Sequence, residues 1–219
     1  MSIYFGTDGI RGIVHKDLSF DVCYKTGNAI SRIKPKAKIL LGRDTRTSGD
    51  FVAMAFSVGA VIGGADVIDV GVVPTAGISY LTVKNKADFG VVVSASHNPA
   101  EHNGIKIFDS NGNKINITTE NLIERQFIHN HIANVNDVGT YCQDDRMYCQ
   151  YLDYLIEGLN LKGFKVVVDA SNGAGYKIAP LAFRKAGAKV IKMSCENDGK
   201  NINKNCGALY PENLVKKIF

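Results

Sequence analysis

Short apolar runs typical of buried strands alternate along this chain with longer segments in which apolar residues recur at helical spacing. The strand-like runs cover residues 38–41, 65–70, 89–93 and 165–169. The helix-like segments cover residues 50–62, 76–83, 118–130 and 145–159. Thr118 or Thr119 is the expected cap of the third helix. This alternation predicts an α/β fold, in which a sheet carries helices on both of its faces.

The second half of the chain repeats the order of elements found in the first half. Each half contains a predicted strand, a loop with glycine and serine, and a predicted helix. In both halves the helix is followed by the sequence Gly-Ala-x-Val-Ile, at residues 64–68 and 187–191. We interpret this as a duplicated α/β unit; the alternative is that any two β-α-β units look alike. Two domains are therefore expected, at residues 1–143 and, as a linker helix with an incomplete second domain, at 144–219. The polar residues 131–143 are expected to begin the linker.

Composition and charge exclude several classes of protein. The formal net charge of +5 suits anionic small molecules and is too weak to indicate a nucleic-acid partner. The five cysteines include no Cys-x-x-Cys pair, which favours reduced thiols over a disulfide framework or a zinc site. The first residues lack the pattern of a secretion signal, and the apolar run at 51–63 is shorter than the roughly 20 residues of a membrane span. We expect a cytoplasmic protein with no membrane or nucleic-acid partner.

The segment most suggestive of chemistry follows the third strand-like run. It reads Ser-Ala-Ser-His-Asn-Pro-Ala-Glu-His-Asn-Gly-Ile-Lys at residues 94–106. Ser96 offers a hydroxyl for a covalent intermediate, and His97 and Lys106 are close enough in sequence to move its protons or neutralise a charge beside it. The Asn-Gly pair at 103–104 predicts a tight reversal. A plain serine-rich turn is the alternative, and the chain contains neither a hydrolase elbow nor a nucleotide-binding loop motif.

Two other loops combine glycine with arginine. Residues 5–12 read Phe-Gly-Thr-Asp-Gly-Ile-Arg-Gly, which predicts a close approach to a ligand whose phosphate the guanidinium of Arg11 would grip. The alternative is a turn with a surface contact between Asp8 and Arg11. The second loop places Arg43 and Arg46 at the start of a predicted helix, which predicts an anion site. Here the alternative is that both arginines pair with nearby carboxylates.

Taken together, these segments resemble the α-D-phosphohexomutase superfamily, and most closely its bacterial phosphoglucosamine mutase branch. The resemblance covers nearly the whole chain and is carried by ordered motifs at residues 5–12, 42–49, 71–75, 94–106, 169–174, 198–203 and 206–207. It implies two three-layer α/β/α domains of the phosphohexomutase type, the second incomplete here. It also implies two further domains around a shared cleft, and it allows a homodimer through the first domain.

The resemblance implies a reaction and a role for each candidate residue. Ser96 matches the serine that carries the phosphoryl group, and Lys106 and Arg11 match the residues that handle protons and charge beside it. His97 matches a histidine that contacts the phosphosugar substrate or assists proton transfer. Glucosamine 6-phosphate would become glucosamine 1-phosphate through a bisphosphate, on the route to UDP-N-acetylglucosamine and the cell wall. The implied cofactors are one Mg²⁺, bound in part by the phosphate on Ser96, and a sugar bisphosphate or phosphorylation of Ser96 for activation.

One part of the implied machinery is missing from the sequence. The family's Asp-x-Asp-x-Asp metal loop does not occur in these 219 residues. The sugar-reading and phosphate-binding loops of the later family domains are also absent, so we expect an N-terminal fragment with negligible turnover on its own. Three alternatives stay open: a phosphomannomutase/phosphoglucomutase, a truncated non-catalytic protein that binds phosphosugars or a partner, and a Ser-His hydrolase.

Overall fold

A computed structural model describes residues 4–129 and 137–218, which form two sheets with helices packed against them. The strands are β1 (Phe5–Gly6), β2 (Gly9–Ile13), β3 (Lys38–Arg43), β4 (Asp66–Val72), β5 (Phe89–Val93), β6 (His102–Phe108), β7 (Tyr141–Gln143), β8 (Lys165–Asp169) and β9 (Lys189–Met193). The helices are α1 (Phe20–Ile33), α2 (Gly49–Ile62), α3 (Thr75–Lys84), α4 (Ile117–His129), α5 (Arg146–Ile156), α6 (Ile178–Lys185) and α7 (Pro211–Ile218). Across these described ranges, no helix is both long and apolar enough to cross a lipid bilayer.

Seven of the strands form one mixed sheet in the order β1-β2-β6-β5-β3-β4-β7. Strand β3 pairs in parallel with β4 and β5, whereas β6 runs antiparallel to both β5 and β2. The carboxyl ends of β3, β4 and β5 therefore meet at one edge of the sheet, and β6 begins there. Because open α/β sheets bind ligands outside the carboxyl ends of their parallel strands, this is the edge at which a site is expected.

Side chains of the central strands alternate between the two faces of the sheet. Ile39 and Leu41 of β3 are fully buried in an apolar cluster to which α1, α2 and α4 contribute. Leu40, which lies between them, is fully buried on the opposite face against residues of α3, α5 and α6. The sheet is thus covered on both faces, which confirms the predicted three-layer α/β/α arrangement.

Helices α1 and α2 approach each other closely because glycines lie at their crossing. A Cβ atom on Gly27 would collide with the carbonyl oxygen of Phe56, and one on Gly59 would collide with the carbonyl oxygen of Tyr24. The side-chain amide of Asn28 donates to the Gly59 carbonyl oxygen at 3.2 Å. A side chain at either glycine therefore requires the two helices to move apart.

The second unit repeats the local structure of the first. Strands β8 and β9 pair in parallel, with Lys165 opposite Lys189. Strands β3 and β4 of the first unit also pair in parallel. Each unit enters its second strand through a glycine in the left-handed region, Gly64 at φ +89° and Gly187 at φ +101°. Both glycines donate their N–H to the carbonyl oxygen three residues earlier at 2.9 Å. These shared details support the duplication; the boundary predicted at residue 143 stays a prediction.

Two of the local predictions are wrong because strand pairing overrides a loop-like composition. The Asn-Gly pair at residues 103–104 lies inside β6, and residues 94–101 make the reversal instead. The glycine-rich segment at residues 5–12 is a hairpin of β1 and β2, whose second strand pairs with β6. Glycine is needed at position 104 because other backbone lies close to it: a Cβ there would come within 2.6 Å of the Ile10 carbonyl oxygen.

Two further corrections concern the segment around α4. The cap of this helix is Asn116, whose side-chain oxygen accepts the N–H of Thr119 at 3.0 Å, so neither threonine serves as the cap. Part of the linker predicted at 131–143 is strand β7, which pairs in parallel with β4 at the edge of the sheet. Residue 130 of the predicted helix and residues 131–136 of the predicted linker lie outside the described residues.

We predict that Gly59→Ala destabilises the chain although alanine favours helices. Overpacking at the α1–α2 crossing costs about 1–3 kcal/mol, and often more against backbone atoms, whereas the gain in helix propensity is only about 1 kcal/mol. The exposed neighbour Val58 provides a matched control, because Val58→Ala places the same residue in the same helix away from the contact. Urea denaturation measures both free energies of unfolding. Equal midpoints for the two variants would contradict the close crossing.

We also predict that the thiols differ sharply in reactivity. Burial raises the pKa of the Cys23 thiol to about 12, whereas Cys142 and Cys149 are exposed. Because the thiolate is the nucleophile, iodoacetamide at pH 8 should label the two exposed cysteines in the folded chain and Cys23 only after unfolding. Peptide mass spectrometry reads out each site. Labelling of Cys23 at the rate of Cys142 would show that α1 is not packed as described.

Candidate functional site

Ser96 lies in the loop between β5 and β6, at the edge of the sheet where the parallel strands end. Its side chain is exposed, and its backbone occupies the left-handed region at φ +57°. A non-glycine residue stays in this region only when its surroundings hold it there. The N–H of Ser96 donates to Ser94 Oγ at 3.0 Å, and Ser94 Oγ donates to the carboxylate of Asp44 at 2.6 Å. A buried acid just after β3 therefore sets the conformation at Ser96.

Arg46 is the buried residue that holds the remainder of this loop. Its side chain is 0% exposed, and its Nε donates to the Asp44 carboxylate at 3.0 Å. Its two terminal nitrogens donate to four backbone carbonyl oxygens, those of Ser96, Asn98, Pro99 and His102. All five N–H donors of the guanidinium are thus satisfied by Asp44, the loop and the start of β6. The buried charge requires these acceptors, so it restrains the conformation of the loop.

The anion site predicted from Arg43 and Arg46 is therefore wrong. Arg43 forms ion pairs with Asp69 at 2.9 Å and with Asp50 at 2.8 Å. Arg46 is enclosed as described above, so the alternative, that both arginines pair with carboxylates, is confirmed. Sequence reasoning missed the role of Arg46 because its acceptors lie about fifty residues further along the chain.

Arg11 and Lys106 lie on neighbouring strands and share a single carboxylate. Arg11 pairs with Asp8 at 3.1 Å, and Lys106 approaches the other oxygen of Asp8 at 3.3 Å. Arg11 is opposite Gly104 in the β2–β6 ladder, and a Cβ on Gly104 would come within 2.8 Å of Arg11 Cγ and 3.0 Å of the Ser94 carbonyl oxygen. The stem of Arg11 therefore passes beside the start of the Ser96 loop. The contact between Asp8 and Arg11, offered as the alternative for this segment, is present.

The charge balance of the cluster formed by Asp8, Arg11 and Lys106 favours the binding of an anion. The hydrogen bond and the charge of Lys106 hold the pKa of Asp8 below its ordinary value, with a smaller contribution from Arg11. Asp8 is therefore ionised at neutral pH, yet one carboxylate offsets only one of the two cations. Both cationic side chains are 23% exposed, so they are held in place and still reachable from solvent.

His97 is exposed beside Ser96, and among the described residues its side chain has no hydrogen-bond partner. An imidazole in this state is free to meet a ligand. The four candidate residues are thus divided in the structure. Arg11 and Lys106 form one cluster with Asp8, while Ser96 and His97 stand exposed on the loop.

The second unit also reaches the loop, which sequence reasoning did not anticipate. The side-chain amide of Asn203 donates to the carbonyl oxygens of Ser96 at 2.8 Å and Asn98 at 3.0 Å. Nearby, the N–H of Thr47 donates to the Gly199 carbonyl oxygen at 2.9 Å. The signal for this contact was the motif at residues 198–203, which the sequence contains but whose spatial partner it does not reveal.

The residues described here do not form a complete metal site. Within the described ranges, no group of three or more histidine, cysteine or acidic side chains is placed to hold an ion. The acidic pair at 144–145 is no exception, since Asp144 accepts two hydrogen bonds from the guanidinium of Arg146 at 2.7 and 2.8 Å. The exposed Ser96 hydroxyl could contribute one ligand when phosphorylated, but the acidic ligands of Mg²⁺ would have to come from elsewhere.

Comparison with known proteins agrees with this architecture. Residues 2–133 match the family described as phosphoglucomutase/phosphomannomutase, alpha/beta/alpha domain I. The chain is 43% identical to a phosphoglucosamine mutase of Alkaliphilus oremlandii and 41% identical to one of Clostridioides difficile. All of this chain aligns with each relative, but it covers only 52% and 51% of their lengths. The chain thus spans about half the length of the curated relatives it matches.

A solved structure shares the fold. The crystal structure of a phosphoglucomutase/phosphomannomutase family protein from Burkholderia thailandensis superposes with a TM-score of 0.85 at 28% sequence identity. The match covers 98% of this chain and 48% of that one. Since the family match takes in more than half of the chain and the solved fold agrees over nearly all of it, this chain belongs to the phosphoglucomutase/phosphomannomutase family.

Proposed function

We propose that the chain is the phosphoserine-carrying part of a phosphoglucosamine mutase. The observation that carries the proposal is the exposed hydroxyl of Ser96, held in the left-handed region by the Asp44–Arg46 network. In the first step a sugar hydroxyl attacks the phosphorus of phosphorylated Ser96, and the bond from phosphorus to Ser96 Oγ breaks. The sugar hydroxyl loses its proton and Ser96 Oγ gains one, which yields a sugar bisphosphate. After the bisphosphate turns round, its other phosphate returns to Ser96.

Electrostatics supports phosphorylation at this position. A phosphoserine carries about −1.5 to −2 charges at pH 7, and a charge of that size needs cations close to it. Among the described residues, Arg11 and Lys106 share Asp8 as their counter-charge. A phosphate on Ser96 would compete with Asp8 for both cations. The guanidinium fork of Arg11 suits two phosphate oxygens, and the ammonium of Lys106 acts as a point charge.

Proton transfer is the role we propose for His97. It neighbours Ser96 in the sequence, is exposed, and in the described part of the chain is held by no other side chain. The sugar hydroxyl and Ser96 Oγ exchange a proton in each half-reaction, and an imidazole can act as the general base and general acid for that exchange. The alternative role for His97 at this position is direct contact with the phosphosugar substrate.

The sugar is assigned from the names of the relatives. The two relatives at 41–43% identity are called phosphoglucosamine mutases, which supports glucosamine 6-phosphate as the substrate and glucosamine 1-phosphate as the product. The family description also names phosphoglucomutase and phosphomannomutase, so these activities are the second candidate. The product would serve UDP-N-acetylglucosamine synthesis for the cell wall, which fits a cytoplasmic enzyme.

Two cofactors belong to the proposal. Mg²⁺ would neutralise charge on the transferred phosphoryl group when bound, but the described residues supply no acidic ligand set, so we route no step through it. A sugar bisphosphate, or prior phosphorylation of Ser96, would start the cycle. Because the chain spans half the length of its relatives and lacks a metal loop, we expect negligible turnover from these 219 residues alone.

The proposal is tested in a chimera in which this chain replaces the N-terminal half of the Alkaliphilus oremlandii phosphoglucosamine mutase. We predict that the chimera converts glucosamine 6-phosphate in a coupled assay and that Ser96→Ala lowers kcat by more than about a thousandfold, because the phosphoryl acceptor is lost. Intact-protein mass spectrometry of the active chimera should show one phosphate, which peptide mapping assigns to Ser96.

The matched control is Ser110→Ala, which removes another exposed serine hydroxyl outside the loop. This variant should keep the turnover and the phosphate of the chimera. A Ser96→Ala chimera that retains turnover within tenfold of its parent would refute the proposed role. Turnover from the 219-residue chain alone, at a rate near that of the chimera, would refute the expectation that it is incomplete.

The pKa of Asp8 offers a second test that needs no catalysis. Lys106→Met should raise this pKa toward its ordinary value, because the Lys106 hydrogen bond and charge are the main cause of its depression. Lys114→Met is the matched control and should change it least, since Lys114 is the weakest of the three cationic contributors. Carbon-detected NMR titration of the carboxyl group measures both.

The sign of the effect on stability follows from the same pKa. Since the pKa of Asp8 is lower in the folded chain, the ion pair contributes at pH values above the ordinary pKa of an aspartate and is lost as the pH falls through the depressed value. Phosphorylation of Ser96 should raise the pKa of Asp8 by drawing Lys106 and Arg11 away. An Asp8 titration that is identical with and without the phosphate would contradict the proposed competition.

A further inference from the structure

The backbone of the Ser96 loop receives hydrogen bonds from both α/β units. The carbonyl oxygens of Ser96 and Asn98 each accept two donors, one from Arg46 of the first unit and one from Asn203 of the second. The four distances lie between 2.8 and 3.0 Å. The loop that presents the Ser96 hydroxyl is therefore completed by a side chain that lies 107 residues away in the sequence.

Asn203 is itself held in a defined place. Its backbone is in the left-handed region at φ +61°, which asparagine tolerates better than most residues. Its N–H donates to the carbonyl oxygen of Ser171, in the loop after β8, at 2.9 Å. The preceding residue, Ile202, is 4% exposed and anchors the segment in the second unit. The amide of Asn203 thus extends from a fixed backbone toward the loop.

Neighbouring contacts between the units differ from this one in kind. The N–H of Thr47 bonds the Gly199 carbonyl oxygen, and Thr45 Oγ1 bonds the Asn172 carbonyl oxygen. Both contacts join the second unit to the loop after β3, and neither reaches the Ser96 loop. Among the described residues, Asn203 is the second-unit side chain that donates to the carbonyl oxygens at Ser96 and Asn98.

We propose that Asn203 is a positioning residue for Ser96, so that docking of the second unit on the first sets the conformation of the Ser96 loop. The strained backbone at Ser96 needs external support, and Arg46 supplies only part of it. The claim that the loop takes part in phosphoryl transfer rests on the proposed function. The claim that Asn203 positions the loop is independent of that function, because it concerns the order of the loop in the free chain.

The test compares two substitutions that both suit a left-handed backbone. Asn203→Gly deletes the donor, and Asn203→Asp places acceptor oxygens opposite two carbonyl oxygens at nearly unchanged volume. Asn205 provides the matched control, since it also has a positive φ of +53° and its side chain has no hydrogen bond within the described residues. Asn205→Gly and Asn205→Asp therefore repeat the same chemical changes two residues away.

Amide hydrogen exchange of the 219-residue chain is measured by NMR at Ser96 and Asn98, whose N–H groups donate within the loop. Both Asn203 variants should speed exchange at these two amides by about five- to tenfold, equivalent to one lost hydrogen bond, and Asn203→Asp should have the larger effect. The Asn205 variants should leave both amides unchanged. Urea midpoints should fall by no more than the loss of that one hydrogen bond predicts.

Two results would overturn the proposal. Unchanged exchange at Ser96 and Asn98 in both Asn203 variants would mean that Arg46 alone orders the loop. Faster exchange throughout the second unit, with a larger fall in the urea midpoint, would mean that Asn203 is merely structural. In the chimera, a misplaced Ser96 should lower kcat with little change in KM. If the loop responds but no chimera is active, the proposed function fails while the positioning role stands.

Discussion

The buried guanidinium of Arg46 is the interaction on which the rest of the site depends. A fully buried cation is tolerated only when its charge and all its donors are matched, and removing one partner of such a pair typically costs about 3–5 kcal/mol. Arg46 meets this requirement with Asp44 and four backbone carbonyl oxygens. Three of those oxygens belong to the loop of Ser96, and the fourth belongs to His102 at the start of β6. The need to satisfy one buried charge thereby restrains the loop.

The site combines a rigid frame with groups that stay free. Asp44 and Arg46 are buried and fully engaged, so they cannot contact a substrate. Ser96 and His97 are exposed, and Arg11 and Lys106 share a carboxylate that an incoming phosphate can replace. A rigid frame suits the proposed phosphoryl transfer, because catalysis of that reaction depends on placement and charge more than on reactive side chains. Asn203 extends this frame into the second unit.

Elements marked by a continuous apolar run could be read from the sequence, whereas elements defined by a partner strand could not. Strands β5 and β8 occupy the predicted residues 89–93 and 165–169 because a continuous apolar run of that length is a distinctive pattern. Strand β7 is three exposed residues, which form a strand only because β4 offers a free edge. The Asn-Gly pair at 103–104 has turn composition, yet ladder bonds to β2 outweigh that local preference.

By itself the sequence determined the alternation of strands and helices, the repeat of the α/β unit, and the candidate residues Ser96, His97, Arg11 and Lys106. Each of these depends on local composition or on a motif within one short segment. Only the tertiary structure decided that Arg43 and Arg46 are not anion ligands and that Asn203 meets the Ser96 loop. The physical reason is that a buried charge or amide takes its role from the acceptors around it. Those acceptors come from segments that approach one another only when the chain is folded.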